Sequence, residues 1–338
     1  MTTKIAINGF GRIGRCVARA IFEAVDNNEN LELVAINGPA AIETQIHLLK
    51  YDSIHGIFSK EVSAQGENAI IIDGKKVRFT RERDPAKLDW ASLGVDIVFE
   101  CTGIFNDEEG AGKHLAAGAK KVIISAPAKS DNIKTVVYSV NDCDLTADDK
   151  IISVGSCTTN CLAPIAKVLH DTIGIEKGFM TTIHSYTNDQ NIVDGSHRDL
   201  RRARAASMSM IPTSTGAAKA IGLVMPELKG KLDGGAIRVP TANVSMVDLN
   251  FISKKNTSKE EIHQIIQDAI AADAKVAKAL RFVTEPLVSI DFNHSSHSSC
   301  FDSTQTKVMG GNFIKICSWY DNEWAFSLRM LDVAVLVA

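Results

Sequence analysis

The stretch Lys4-Ile5-Ala6-Ile7-Asn8-Gly9-Phe10-Gly11-Arg12-Ile13-Gly14 decides how the first half of the chain reads. Lys4–Asn8 is a short apolar run with the character of a buried strand. From Gly11 onward, Ile13, Val17, Ile21 and Val25 recur at every fourth position, which lines one face of a helix. Between strand and helix lies G-x-G-x-x-G, a pattern that is weak alone and informative in this setting. Gly9 is expected to allow a tight turn, Gly11 the close approach of a pyrophosphate, and Gly14 the packing of helix on strand. The helix N-terminus offers N–H groups and partial positive charge to phosphates. Gly9, Phe10, Gly11, Arg12, Ile13 and Gly14 are therefore the expected cofactor-binding segment, and the expected ligand is a dinucleotide.

Outward from that stretch, Leu31–Ile36 reads as a second strand. Asn37-Gly38-Pro39 follows, then a helical stretch through Leu48 with the proline expected in its first turn. Asp96–Cys101, Lys121–Ser125, Thr135–Val140 and Ile151–Val154 are short β-branched runs without polar alternation, as in strands covered on both faces. This order predicts an α/β, Rossmann-type, doubly wound parallel sheet over residues 1–156. After about residue 157 the texture changes. Gly178–Ser185, Ala236–Val239, Val244–Ser253, Leu287–Phe292 and Asn312–Trp319 read as strands, and Leu162–Thr172, Ser258–Ala272 and Asn322–Val337 as helices. Residues 157–321 are thus expected to form an α+β catalytic domain with a largely antiparallel sheet. The helix within 322–338 is expected to pack back on the first domain.

With 338 residues, 45% of them hydrophobic, the chain can bury two sizeable cores. Lys and Arg number 37 against 40 Asp and Glu, a net charge of −3, so no global basic field gathers nucleic acid or an anionic membrane. The apolar runs are too short to span a bilayer, and the N-terminus enters a strand at once, so neither a membrane span nor a leader is expected. Seven cysteines are scattered at 16, 101, 143, 157, 161, 300 and 317, with no C-x-x-C. That usage suits a reducing cytoplasm better than a disulfide framework, and no metal is expected. The spacing of His294, His297 and Cys300 suits neither a strand face nor a zinc finger.

One cysteine stands apart. Ile151–Val154 runs into Gly155-Ser156-Cys157-Thr158, and helical spacing follows. Cys157 is thus expected at a strand-to-helix junction, where the helix dipole favours a thiolate. His184, in a strand of the second half, is the natural base for it. Spacing alone leaves open that both are inert packing residues.

The string Ser156-Cys157-Thr158-Thr159-Asn160-Cys161, with His184–Gln190, Asp199–Ala206, Pro212–Lys219 and Trp319–Trp324, closely resembles the phosphorylating glyceraldehyde-3-phosphate dehydrogenase family. The likeness runs from Lys4 to the C-terminal helix. It implies oxidation of glyceraldehyde 3-phosphate with inorganic phosphate and NAD or NADP, through a thioester on Cys157 with His184 as base. It further implies that Thr187, Arg202 and Arg238 hold the C3 phosphate, and that Ser156, Thr158, Thr215 and Gly216 hold the attacking phosphate. Asn322 would orient the nicotinamide carboxamide, with Arg78, Thr102 and Ser125 among the cofactor contacts. A homotetramer is also implied. Erythrose-4-phosphate dehydrogenase shares the scaffold, but Thr187 and Thr213–Lys219 resemble the glyceraldehyde-phosphate type better. RNA binding in the cofactor groove is a rival from another class, secondary to an enzymatic set this complete.

Two departures from the NAD-dependent members bear on the cofactor. Asn37-Gly38 stands where an acid usually meets the ribose 2′-hydroxyl, and Gly195-Ser196 replaces Leu-Pro. A carboxylate would repel a 2′-phosphate, whereas a serine hydroxyl can bond one, so NADP acceptance with NAD retained is expected. Asn37 or a backbone group is the alternative partner of the 2′-hydroxyl, and no arginine follows immediately. Ala325-Phe326 and Val154-Gly155 also depart from the common pattern, without a derivable consequence. Of the basic run Arg198, Arg201, Arg202 and Arg204, only Arg202 is expected to face substrate. Cys161, one helical turn after Cys157, reads as packing.

Overall fold

A computed structural model describes residues 2–23 and 30–338. Val25, the last member of the helical row, lies outside the described residues. The chain divides into two compact units, one of residues 1–136, 142–156 and 326–338, the other of residues 137–141 and 157–325.

The first unit is built on a nine-stranded sheet. Seven strands run parallel, in the order Lys134–Thr135, Ile151–Ser153, Lys121–Ile124, Ile97–Glu100, Thr3–Asn8, Leu31–Asn37 and Lys75–Thr80. The order reverses on either side of the first strand, the doubly wound arrangement that the alternating runs predict. Ile5, Ile7, Ile36, Val98, Phe99 and Ile123 are buried on both faces of the sheet. Apolar side chains are therefore needed at consecutive positions, so no alternation appears in the sequence. Two antiparallel strands, Val62–Ala64 and Ala69–Ile72, extend one edge. The sequence reading missed them, although Asp73-Gly74 carries the hairpin signal and both residues have positive φ, 49° and 76°.

The second unit holds a seven-stranded sheet in the order Ile211–Ser214, Leu232–Val239, Ile175–Ser185, Ser245–Ser253, Phe313–Tyr320, Ser299–Met309 and Leu280–Val283. Antiparallel pairings outnumber parallel ones, which are confined to Ile175–Ser185 with Leu232–Val239 and Leu280–Val283 with Ser299–Met309. The helix Cys157–Ile173 lays Leu162, Ile165, Ala166 and Leu169 on this sheet against Val247, Leu249, Phe251, Ile314 and Ile316, the heart of the core. That burial holds the first residue of the helix, Cys157, in a fixed place.

Several expected elements change. Pro39 precedes the helix Ile42–Lys50 instead of sitting in its first turn. Of Thr135–Val140, only Lys134–Thr135 pairs as a strand, because Val137 and Val140 turn back on Asn141 through the Asn141 side chain and local backbone bonds. Leu287–Phe292 is not a strand. Pro286 withholds a donor before it, and the Asp291 carboxylate takes the Val288 N–H at 2.8 Å, closing a short 3-10 turn. The 11-residue strand Ser299–Met309 escaped notice because its buried positions include Ser299, Asp302, Ser303 and Thr306. No helix among the described residues is long and apolar enough to cross a membrane.

Candidate active site

In the first unit, Thr80, Asn37, Asn8, Glu100, Ile124 and Ser153 stand in register at the carboxyl ends of six parallel strands. Three of them are buried polar residues that bond to one another. Asn37 Nδ2 donates to Asn8 Oδ1 at 2.7 Å, and Asn8 Nδ2 donates to Glu100 Oε2 at 2.6 Å. Glu100 also accepts from His114 Nε2 at 3.0 Å and from the Thr102 backbone N–H at 2.7 Å. Trp90 Nε1 donates to His114 Nδ1 at 3.0 Å, which fixes the proton of the imidazole on Nε2. The carboxylate is thus surrounded by donors beneath the glycine loop.

Gly9 follows Asn8 with φ of +95°, and a Cβ there would lie 2.6 Å from the Thr102 nitrogen. A Cβ at Gly14 would lie 2.2 Å from the Gly9 carbonyl oxygen, so helix and turn touch backbone to backbone. A Cβ at Gly11 would meet nothing within 4 Å, and the helix Arg12–Phe22 carries no side-chain cap. An open, uncapped helix N-terminus at the carboxyl edge of a parallel sheet fits a pyrophosphate. Phe10 is buried, and its carbonyl accepts from Arg15 at 3.0 Å. The Arg12 guanidinium forks onto Asp52 at 2.6 and 3.0 Å. Burial pushes the Asp52 carboxyl up, but Arg12 and the backbone N–H groups of His55 and Ile54 outweigh it and hold it well below the usual range. Ile13 is partly exposed beside this pair.

The ribose end differs from expectation. Asn37 is 4% exposed and its amide is saturated: Nδ2 also donates to Glu82 O, and Oδ1 accepts from Thr80 Oγ1 and Glu82 N. It fastens the segment after Lys75–Thr80 and has no donor left for a ribose. Gly38 faces the Gln45 amide, 3.0 Å from where its Cβ would lie. Arg78 is not at this edge; it stands in register with Ala35, and its guanidinium is 3.8 Å from Asp89. Arg81 is there instead, its Nε donating to the Pro39 carbonyl at 3.2 Å. The sequence reading missed it because strand register, not chain proximity, sets it beside Gly38. Thr102 closes the Glu100 strand, and Ser125 binds the Glu100 carbonyl through its N–H at 3.0 Å.

In the second unit, Cys157 opens its helix, and its Sγ lies 3.6 Å from His184 Nε2. Arg238 stands in register with His184 on the parallel neighbour, its Nη1 2.7 Å from His184 Nδ1 and 3.0 Å from the Ser185 carbonyl. Burial, with the nearby Arg238 charge, pulls the His184 imidazole down to about 3. Burial also pushes the Cys157 thiol up, against Arg238 and hydrogen bonds from Thr158 that pull it down. Both directions are set by removal from water and run against the thiolate that the helix N-terminus favours.

Around this pair, Tyr320 is a residue that the sequence did not single out. The residue is 1% exposed, its hydroxyl bridges Thr158 Oγ1 and Thr182 Oγ1 at 2.8 Å each, and its ring meets His184 edge-on at 5.9 Å. The Thr158 hydroxyl thus lies between Tyr320 and the Cys157 sulfur. Asn322 Oδ1 accepts from Ser185 Oγ at 2.6 Å and Ser245 Oγ at 3.0 Å, which leaves the amide nitrogen as the donor available to a ligand. Thr187 is partly exposed at the head of its loop, where its N–H meets Gln190 at 2.8 Å. Arg202 is held by Asp189, by Thr213 Oγ1 at 2.9 Å and by Asp199 at 3.6 Å, and its charge is felt at Arg238. Thr215 and Gly216 open the helix Ala217–Val224, with the Thr215 hydroxyl accepting from Ala217 N at 3.2 Å. Ser156 directly precedes Cys157, and Ser196 is exposed in the loop after Gln190. Arg204 pairs with Asp194 at 2.9 Å. Cys161 is buried against Ser299 at 3.6 Å, and Cys300 against Ser295 at 3.5 Å. His294 stacks on Trp324 with ring centroids 3.8 Å apart. Among the described residues, His294, His297 and Cys300 do not converge as ligands.

Residues 156–322 match the family description "Glyceraldehyde 3-phosphate dehydrogenase, C-terminal domain", and residues 3–108 match "Glyceraldehyde 3-phosphate dehydrogenase, NAD binding domain". The chain is 56% identical over 338 residues to a glyceraldehyde-3-phosphate dehydrogenase of Zymomonas mobilis, covering 100% of this chain and 99% of that one. The chain belongs to the glyceraldehyde-3-phosphate dehydrogenase family. A Xanthobacter flavus glyceraldehyde-3-phosphate dehydrogenase is 56% identical over 335 residues, covering 99% of this chain and 98% of its own. The chloroplastic glyceraldehyde-3-phosphate dehydrogenase A of Zea mays is 52% identical over 335 residues, 99% of this chain and 82% of that one. A member of this family is an oxidoreductase, and its first unit is a Rossmann domain for a nicotinamide cofactor. Its second unit is the catalytic domain.

Proposed function

We propose that this chain catalyses the reversible phosphorylating oxidation of glyceraldehyde 3-phosphate to an acyl phosphate. The observation that carries this reading is Cys157 Sγ at 3.6 Å from His184 Nε2, with Arg238 in register beside the imidazole. A thiol becomes nucleophilic when its proton has somewhere to go, and the His184 imidazole stands within reach of the sulfur to take it. In this reading Cys157 attacks the aldehyde carbon and forms a thiohemiacetal, and His184 takes the proton of its hydroxyl. The bound nicotinamide supplies a hydride acceptor, so a thioester remains on Cys157. Inorganic phosphate, held at Ser156, Thr215, Gly216 and the Thr158 backbone, attacks the thioester carbonyl and frees Cys157. Arg238, with Thr187 and Arg202, holds the C3 phosphate through charge-assisted hydrogen bonds. Asn322 presents its amide nitrogen to the carboxamide.

In this scheme residues 1–156 serve the dinucleotide, residues 157–321 serve the substrate, and the C-terminal helix returns to the first domain. Gly38 carries no carboxylate to repel a 2′-phosphate, and Arg81 adds a guanidinium beside Pro39, so NADP is accepted alongside NAD. A cytoplasmic homotetramer follows from the family likeness. The test is kcat/KM for NAD and for NADP with glyceraldehyde 3-phosphate and phosphate at one pH. Turnover with NADP within tenfold of NAD supports the whole reading. Turnover with NAD alone keeps the chemistry and removes the cofactor assignment, and no turnover with either removes the function.

A further inference from the structure

Asn322 is held so that its two amide atoms are not interchangeable. Asp321 Oδ1 accepts from the Glu323 and Trp324 N–H groups at 2.9 and 2.8 Å, and Asp321 Oδ2 from His294 N–H at 2.7 Å. The turn that carries Asn322 is thereby pinned. Its side chain meets two serine hydroxyls, Ser185 Oγ at the end of one strand and Ser245 Oγ at the start of the next one in the sheet. Those hydroxyls are 3.1 Å apart, and Ser245 Oγ also accepts from Ser185 N–H at 3.0 Å. Ser185, Ser245 and Asn322 are all buried. Val244, directly before Ser245, has a φ of +68°, a conformation that a β-branched residue keeps only when its surroundings impose it. Two hydroxyl protons need acceptors inside this triangle. With Oδ1 toward the serines, each hydroxyl donates to one of its two lone pairs and both protons are placed. With the amide turned over, Nδ2 gives its N–H groups to the two serine oxygens. The contact between the hydroxyls then accommodates one proton, and the other hydroxyl is buried without an acceptor. The serines therefore hold Oδ1. Nδ2, with no protein acceptor among the described residues, is left as a pure donor.

We propose that Ser185 and Ser245 are positioning residues that set specificity at the nicotinamide end, making Asn322 read the carboxamide oxygen of the cofactor and ignore its amino group. This rests on the reading of Asn322 as the partner of the carboxamide. A free amide matches a carboxamide in either orientation, by donating to the oxygen or by accepting from the amino group. The two hydroxyls remove the second option. The site then tolerates loss of the amino group but not a poorer acceptor in place of the oxygen. Either hydroxyl alone still leaves an orphaned proton when the amide turns over, so both must be removed before the orientation is released.

The test is binding alone, by fluorescence titration of the full-length protein with no aldehyde present. The probes are NAD, 3-acetylpyridine adenine dinucleotide and thionicotinamide adenine dinucleotide. The acetyl analogue keeps the oxygen and replaces the amino group by methyl; the thio analogue keeps the amino group and replaces the oxygen by sulfur, a poorer acceptor. Wild type should bind the acetyl analogue within about threefold of NAD, and the thio analogue at least about fivefold more weakly than the acetyl one. The double variant Ser185→Ala/Ser245→Ala should bring the two analogues within about twofold of each other, while each single variant keeps the wild-type ratio. Asn322→Asp, which accepts from both serines and offers no donor, should prefer the thio analogue. A merely structural role weakens all three dinucleotides alike and leaves their ratios unchanged. Equal binding of the two analogues by wild type, or a wild-type ratio in the double variant, overturns the inference and leaves the cofactor reading standing. The wild-type ratio and Asn322→Asp decide without the double variant, since an acetyl preference retained by Asn322→Asp also overturns it. Binding of none of the three by wild type at millimolar concentration overturns the inference together with the dinucleotide reading beneath it.

Discussion

Cys157 Sγ and His184 Nε2 stand 3.6 Å apart, yet the burial that brings them together shifts both away from their charged forms. Alkylation of Cys157 by iodoacetamide in the free protein should therefore rise with pH, with a midpoint above the ordinary thiol value of about 8.5. A rate that is already flat from pH 6 to 8 would mean a preformed thiolate–imidazolium pair and contradict the burial argument.

The same imidazole links stability to acid. Its folded value, about 3, lies below the ordinary 6.5, so the unfolded chain takes up the proton first as pH falls. The stabilising contribution is present above pH 6.5 and is lost progressively toward pH 3. From pH 7 to pH 5, wild type should lose about 2 kcal/mol more than His184→Asn. Urea midpoints of both proteins at the two pH values check this, and parallel losses would refute it.

Replacing the nucleophile isolates chemistry from binding. Cys157→Ser should cut turnover by at least about a thousandfold while leaving the dissociation constant for the dinucleotide within twofold. Substantial residual turnover would assign the covalent step to another group.

At the ribose end, Gly38→Asp places a Cβ 3.0 Å from the flexible Gln45 amide and 3.2 Å from Phe10 Cβ, a fit that Gln45 can accommodate by turning. The added carboxylate should lower kcat/KM for NADP by at least about tenfold and that for NAD far less. Equal losses with both cofactors would show that Gly38 does not face the 2′ position.

Asn37→Ala removes four hydrogen bonds that tie Asn8, Thr80 and Glu82 to the second strand. It should destabilise the fold by about 2 to 4 kcal/mol and weaken NAD and NADP binding alike. Denaturant melts and dissociation constants test it. A loss confined to one cofactor would return Asn37 to direct contact with the ribose.

The sequence by itself determined the fold class and the glycine turn, and it pointed to the cysteine and histidine that stand 3.6 Å apart. Each is written locally: in buried apolar runs, in Gly9 and Gly14 where a Cβ would strike backbone, and in a cysteine beginning a helix. Tertiary structure decided what these groups have for neighbours. Asn37 turned from a ribose partner into a loop fastener because its amide is saturated by residues more than 25 positions away. Arg81 replaced Arg78 beside Gly38 through strand register, and Tyr320 reached Thr158 from 162 positions along the chain. The charge state of Cys157 also lay beyond the sequence. A helix N-terminus can be read from local pattern, but the loss of water that outweighs it depends on every element packed around the sulfur.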